Sequence, residues 1–447
     1  MEYFIFGVII ITLSLMCIVK PHTILYIILS IVLFQDVFAK YVPDPYSIYF
    51  TNFDEVLIII CLAIITIMRL KLGKLNMNST DKLVLILLLI YFIIGTVSAV
   101  INGISVKTYL IGGYLAVKVF LVYLIFSLTD WTVEKIKKYL FCLAVLFCMI
   151  ALYGLAAVVV KPLRLFDIPI EYYRVGIEPA MSVFSHPGRF ATIMTYLTLF
   201  SLGMYLVTSR KYLLGMMVLG TACIILSLRF KSVIGVIAAV VFVMIFQFKK
   251  VKANKNYFPL ILVFGFIAMI KWNSIVDIVT TQLNRYFLNS NLLAVQRWAL
   301  YYYGFRIMLD YFPFGSGFGT YASWMSRVNY SSIYYKYGLN QLFGLSESFG
   351  HFINDTYWPS VIGECGVFGL ISVLIILYSM LKQNLRAFDM LEDKFLKGFI
   401  LASTLCFVGI FIESFATSIY VHYRSYYAFA GCGIVASICK NSEVKSE

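Results

Sequence analysis

Charge is scarce in this 447-residue sequence: Asp, Glu, Lys and Arg make up 13% of it, against 61% hydrophobic residues. With a mean hydropathy of +0.89, it cannot be a soluble domain and reads as a polytopic membrane protein. Acids are scarcer than bases, 22 against 36, which gives a formal net charge of +14. Histidine occurs four times, as His22, His186, His351 and His422, and all nine cysteines lie in or beside apolar runs. No spacing among them suits a zinc site or a disulfide framework, so no metal and no cofactor is expected. The first apolar run lacks a basic leader and a small-residue cleavage site, so it reads as a retained helix. There is no internal repeat.

What is present in quantity is apolar runs long enough to cross a hydrocarbon core of about 30 Å as helices. They fall near 3–19, 22–38, 55–68, 83–101, 109–127, 139–160, 190–207, 212–228, 233–248, 257–270, 360–381, 396–420 and 422–439, thirteen in all. The expected fold class is therefore an all-α polytopic membrane protein with about thirteen spans and one long outer loop containing short helices. It divides into N-terminal spans over 1–160, a first outer loop at 161–189, central spans over 190–271, a large outer loop at 272–357, and C-terminal spans with a short tail over 358–447.

Lysine orients the chain. Basic clusters at 69–82, 135–138, 210–211, 249–255 and 382–397 all fall on one side of such a topology, which the positive-inside rule makes cytoplasmic. Most of the net charge is thus a topology signal spread over short inner loops, and no nucleic acid is expected as a partner. The arginines break the pattern. Nine of twelve map to the outer face. A guanidinium offers a planar fork that matches phosphate, so Arg229, Arg297, Arg306, Arg174, Arg189 and Arg424 are candidates for holding an anion such as pyrophosphate. The alternative for any one of them is an ordinary ion pair with an outer acid such as Glu171, Glu178, Asp310 or Glu347.

The outer segment 272–357 is too long for a mere connection. It is rich in tryptophan and tyrosine, whose flat faces serve either as an interfacial belt or as sugar platforms. Trp298, Tyr301, Trp324 and Tyr357 are the candidate sugar-binding rings. Val295–Ile307 reads as a helix with Arg297, Tyr301 and Gly304 on one face. Asp310–Thr320 is turn-rich, with Pro313, Gly315, Gly317 and Gly319; its glycines would let backbone amides approach a ligand, although taken alone the motif reads as a plain loop. It lacks a preceding strand and a Walker lysine, so it is no nucleotide motif.

The order of Gln296, Arg297 and Trp298, then Pro313, Gly315, Gly317, Gly319 and Tyr321, then Asn354, Asp355, Thr356 and Tyr357, and finally Glu364, Cys365, Gly366, Val367, Phe368 and Gly369 leading into a membrane helix, resembles the O-antigen polymerase and ligase superfamily. Ser227-Leu228-Arg229-Phe230-Lys231-Ser232 is similar to that family's Ser-x-Arg turn, and Ser185-His186-Pro187-Gly188 to a degenerate form of its earlier outer loop. Ligases carry a His-Asn pair where this chain has Asp355-Thr356, so the chain looks like a Wzy-type polymerase. The resemblance implies a metal-independent glycosyltransferase of the cell inner (plasma) membrane, with its active site facing the periplasm or exterior. Its substrates would be undecaprenyl-pyrophosphate-linked oligosaccharides, with membrane lipid around it and a chain-length regulator and a flippase as companions.

The acceptor hydroxyl of such a transfer must lose a proton, for which Asp355, His351 and Glu364 are the candidates. Each has a plainer reading: Asp355 as a helix N-cap, His351 as a loop filler, Glu364 as an acid at a helix N-terminus. Lys118 and Glu413 interrupt apolar runs and are expected to face a cavity or each other. The competing functions are an O-antigen ligase and a lipid-linked oligosaccharide flippase or transporter. A flippase should show matching broken helices in related halves, and none is visible.

Overall fold

The computed structural model describes residues 15–43, 47, 52–73, 76–174, 176–246 and 295–443. The span expected at 257–270, most of that at 3–19, and the basic run 249–255 lie outside them. The described chain is helical and contains no strand. Its helices are α1 (Pro21–Tyr41), α2 (Phe53–Lys71), α3 (Ser79–Ile101), α4 (Val106–Leu128), α5 (Val133–Val159), α6 (Pro187–Thr208), α7 (Tyr212–Leu226), α8 (Phe230–Phe246), α9 (Gln296–Asp310), α10 (Trp324–Val328), α11 (Ser332–Lys336), α12 (Trp358–Met390), α13 (Lys394–Glu413) and α14 (Tyr426–Glu443). Seven of these, α1, α3, α4, α5, α6, α12 and α13, are long and apolar enough to cross a membrane. The architecture is that of an all-α, membrane-embedded protein.

Helix α6 is the hub, packed by α13, α7, α8 and α5. Its sequence suits that place because small residues let neighbouring backbones close in. A Cβ on Gly203 would stand 2.4 Å from the Cα of Ala402 in α13. Gly235 of α8 meets Gly409 of α13 in the same way, with 2.9 Å left to the Gly409 carbonyl. The hydroxyls of Thr192 and Thr195 donate back to carbonyls of their own helix, which allows them inside the bundle.

Two ends of the bundle are distinct. At one, Arg69 pairs with Asp130 at 2.8 Å, and buried Asp81 takes Lys440 at 2.5 Å together with the Tyr123 and Ser127 hydroxyls. At the other, the N-termini of α2, α6, α8, α12 and α14 and the C-termini of α3, α7 and α13 meet the loops. There Tyr426 donates to Asp54 at 2.7 Å, Ser98 to the Gly315 carbonyl at 2.5 Å, and Asn329 to Thr108 at 2.8 Å.

Three expectations change. Hydropathy makes the apolar runs at 396–420 and 422–439 two spans meeting at a short turn over 421–424. Instead α13 ends at Glu413, and a connection over 414–425, with short 3₁₀ turns at Ile419–Val421 and Tyr423–Ser425, precedes α14. Hydropathy misses this break because Ile419, Tyr420 and Tyr423 are buried under neighbouring helices, not set in one. Lys118 and Glu413 are not partners either: Lys118 binds Glu55 at 2.8 Å, and Glu413 binds Lys231 at 3.3 Å. Finally, the glycine-rich stretch serves the fold. Helix α12 breaks at Gly366 (φ 61°, ψ −157°), and the freed Gly363 and Glu364 carbonyls accept the Ser316 and Gly317 amides at 2.9 and 2.8 Å. A Cβ on Gly315 would lie 2.6 Å from the Gly363 carbonyl oxygen, so only glycine permits the contact.

Candidate functional site

Four segments converge beside the N-terminus of α6. The first runs from Ile170 to Arg189 and is tied to the next by the Ala180 amide, which donates to the Leu226 carbonyl at 2.8 Å. The second is the turn from Leu226 to Lys231 between α7 and α8. The third is the 414–425 connection, and the fourth is the start of α9 with residues 354–358. Trp358 Nε1 donates to Ser414 at 2.9 Å, Ser418 to the Asn354 carbonyl at 2.7 Å, and Tyr301 of α9 to the Phe415 carbonyl at 2.9 Å.

These segments bring six cations within electrostatic reach of one another: Arg174, Arg189, Arg229, Lys231, Arg297 and Arg424. Three acids answer them. Asp36 of α1 takes Arg189 and also the Ser185 amide at 2.9 Å. Glu413 takes Lys231 and the Thr192 hydroxyl at 2.8 Å. Asp355 takes Arg297, whose Nε and Nη2 both approach its Oδ2, at 2.8 and 2.6 Å. The Arg174 guanidinium donates to the carbonyls of Glu171 and Tyr173 and pairs with no acid among the described residues. Arg229 and Arg424 have no acid at ion-pair distance among the described residues. Arg229 Nε and Nη2 and Arg424 Nε are buried with no hydrogen-bond partner. Arg229 stands 5.4 Å over the Tyr172 ring. Burial first, and Arg174 second, push its guanidinium down to about 10, so it remains charged at neutral pH. Arg424 is lowered by burial and then by Arg189.

Five of the six expected anion-binding arginines are therefore together. Arg306 is not. It lies nine residues beyond Arg297 along α9, which is half a turn out of phase, and it faces Asp310 at 3.8 Å with a 60% exposed side chain. Arg164 is also an ordinary pair, with Glu178 at 2.5 Å.

Among the expected acids and bases, Asp355 borders the cluster. Its Oδ1 makes no hydrogen bond to any described residue, and it is not an N-cap, because the residue preceding α12 is Tyr357, which makes no side-chain cap. Glu364 lies two turns inside α12, not at its N-terminus; it is buried, and its carboxylate accepts the Tyr321 amide at 3.0 Å, holding the 315–323 loop. His351 is exposed, edge-on to Phe349 at 4.5 Å. Of the expected sugar-binding rings, Trp298 and Trp324 are 38% and 44% exposed, Tyr301 is tied to the 414–425 connection, and Tyr357 is buried against Tyr420 and Trp358.

Sequence reasoning passed over Lys231, Asp36, His186 and His422 as site residues. His186 caps α6, and burial, then Arg229, Lys231, Arg424 and Arg189, push its imidazole down to about 2. His422, part-buried in the 414–425 connection, is held well below its ordinary value by burial and by Arg424 and Arg189. The one sequence signal for His186 was its place in the Ser-His-Pro-Gly run; His422 had none. No protein-family model and no curated protein matches this chain.

Proposed function

We propose that this protein polymerises undecaprenyl-pyrophosphate-linked oligosaccharide repeat units into a surface polysaccharide, as a metal-independent glycosyltransferase. On this reading the chain crosses the membrane about thirteen times, and the arginine cluster faces outward. The observation that carries it is the cation excess: six cations with three acids, and two guanidiniums with buried, unpartnered nitrogens. Burying such groups without an anion is costly, and a pyrophosphate supplies both charge and acceptor oxygens.

In the transfer, the hydroxyl at the non-reducing end of an incoming unit attacks the anomeric carbon of the growing chain. The bond from that carbon to the pyrophosphate oxygen breaks, and the lipid pyrophosphate leaves with the electron pair. Arginines fixed around it stabilise the charge as it develops. The hydroxyl proton goes to Asp355, whose Oδ1 has no partner among the described residues while Arg297 fixes the other oxygen. Exposed Trp298 and Trp324 offer flat faces to the glycan.

Purified protein reconstituted with lipid-linked repeat units alone should produce a glycan ladder, and its absence would remove the reading. Asp355→Asn, which cannot take the proton, should slow ladder growth about 10²-fold or more. Growth at the wild-type rate would leave the polymerase reading and discard Asp355 as base.

A further inference from the structure

His186 stands at the centre of the cation cluster without being a cation. As N-cap of α6 its Nδ1 accepts the Gly188 amide at 2.9 Å. A ring nitrogen that accepts carries no proton, so the neutral imidazole has its hydrogen on Nε2. Nε2 makes no hydrogen bond to any described residue. The groups facing the ring come from every neighbouring segment. Tyr172 packs edge-on at 4.8 Å, and the charged groups that act on it most strongly are Arg229 and Lys231 from the α7–α8 turn and α8, Arg424 from the 414–425 connection, and Arg189 from α6 itself. All four are cations. That a ligand belongs here is indicated separately by the buried, unpartnered Nε of Arg424, a residue 6% exposed, and by Nε and Nη2 of Arg229.

We propose that His186 is a fixed neutral donor, through Nε2–H, to the pyrophosphate group that the surrounding arginines hold, and that it takes no part in proton transfer. This rests on the reading above that the site accepts pyrophosphate. The reasoning is one of charge. A fifth positive group among Arg189, Arg229, Lys231 and Arg424 would be repelled by all of them, and the Gly188 amide already occupies the lone pair a base would need. A neutral imidazole at a helix N-terminus instead supplies direction without charge. It selects which phosphate oxygens are addressed and adds one directed hydrogen bond to the hold of the arginines.

Two measurements on the full-length protein in detergent test this, with inorganic pyrophosphate as the probe. With only four histidines, ¹⁵N-histidine labelling resolves each ring. His186 should show the Nε2–H tautomer from pH 8 to pH 5.5, and its Nε2 resonance should move on adding pyrophosphate. His186→Ser, which caps the helix equally well but cannot reach the ligand, should weaken pyrophosphate binding about tenfold at an unchanged melting temperature. A charged ring at pH 7, an Nε2 signal indifferent to pyrophosphate, no pyrophosphate binding by the wild type, or wild-type affinity in His186→Ser would each overturn the proposal. Protein that makes no glycan ladder yet binds pyrophosphate through His186 would sink the polymerase reading and leave this one standing.

Discussion

At the scale of single residues, the cluster separates arginines by what surrounds them more than by where they fall in the chain. Arg424 is buried and Arg229 half-buried, and both have buried guanidinium nitrogens to spare, whereas Arg306 is exposed and satisfied by its helical neighbour. Lysine keeps the charge and loses the fork, so Arg229→Lys and Arg424→Lys should each reduce pyrophosphate affinity or polymer yield about tenfold, roughly 1.4 kcal/mol. Arg306→Lys should stay within about twofold, as expected for an exposed pair. Equal losses at all three positions, measured at matched protein levels, would show that the buried pair has no special part. None of this grading is visible in the sequence, because burial depends on which segments meet, and Arg174, Arg229 and Arg424 are separated by the full length of two or more helices.

At the scale of elements, close crossings decide where the site's parts lie. Helix α6 carries His186 and Arg189 at its start, while α13 carries Glu413 at its end, and the Gly203–Ala402 contact sets the distance between them. Forcing a side chain into that gap moves the helices apart, so Gly203→Val should cost about 1–3 kcal/mol in thermal stability and weaken anion binding with it. Gly215 of α7 has open space around its Cα, and Gly215→Ala should leave both unchanged or raise stability slightly. A tolerant Gly203 would mean that the crossing is not under constraint.

At the scale of the molecule, the fold class was legible because hydropathy over about 20 residues records a real physical requirement. Helices stand where runs were read at 22–38, 55–68, 83–101, 109–127, 139–160, 190–207, 212–228, 233–248 and 360–381. The α13–α14 connection was not legible, since buried loop residues and lipid-facing ones are equally apolar. The helix at α9 announced itself by period, but the glycines of the 315–319 stretch gave no sign that their contact would be a broken helix instead of a ligand. Membrane sidedness rests on lysine placement, and it can be measured. In a Cys142→Ser background, which removes the one exposed native thiol, Ser348→Cys should react with an impermeant maleimide in intact cells, and Glu392→Cys only after permeabilisation. Labelling of both from the same side would overturn the topology and with it the outward-facing site.

The surplus of positive charge also bears on how the protein holds together. Arg229 and Arg424 are each destabilised by burial and by another arginine, Arg174 and Arg189 respectively, and Arg424 also opposes Lys231 of the turn that carries Arg229. They sit on a turn and a connection anchored by few bonds, such as the Tyr196 hydroxyl on the Arg424 carbonyl at 2.7 Å. With nothing between them, like charges press these two segments apart; with an anion between them, the same charges draw the segments together. Whatever anion fills the cluster therefore acts as a keystone, because anything that binds the native arrangement alone adds to its stability by mass action.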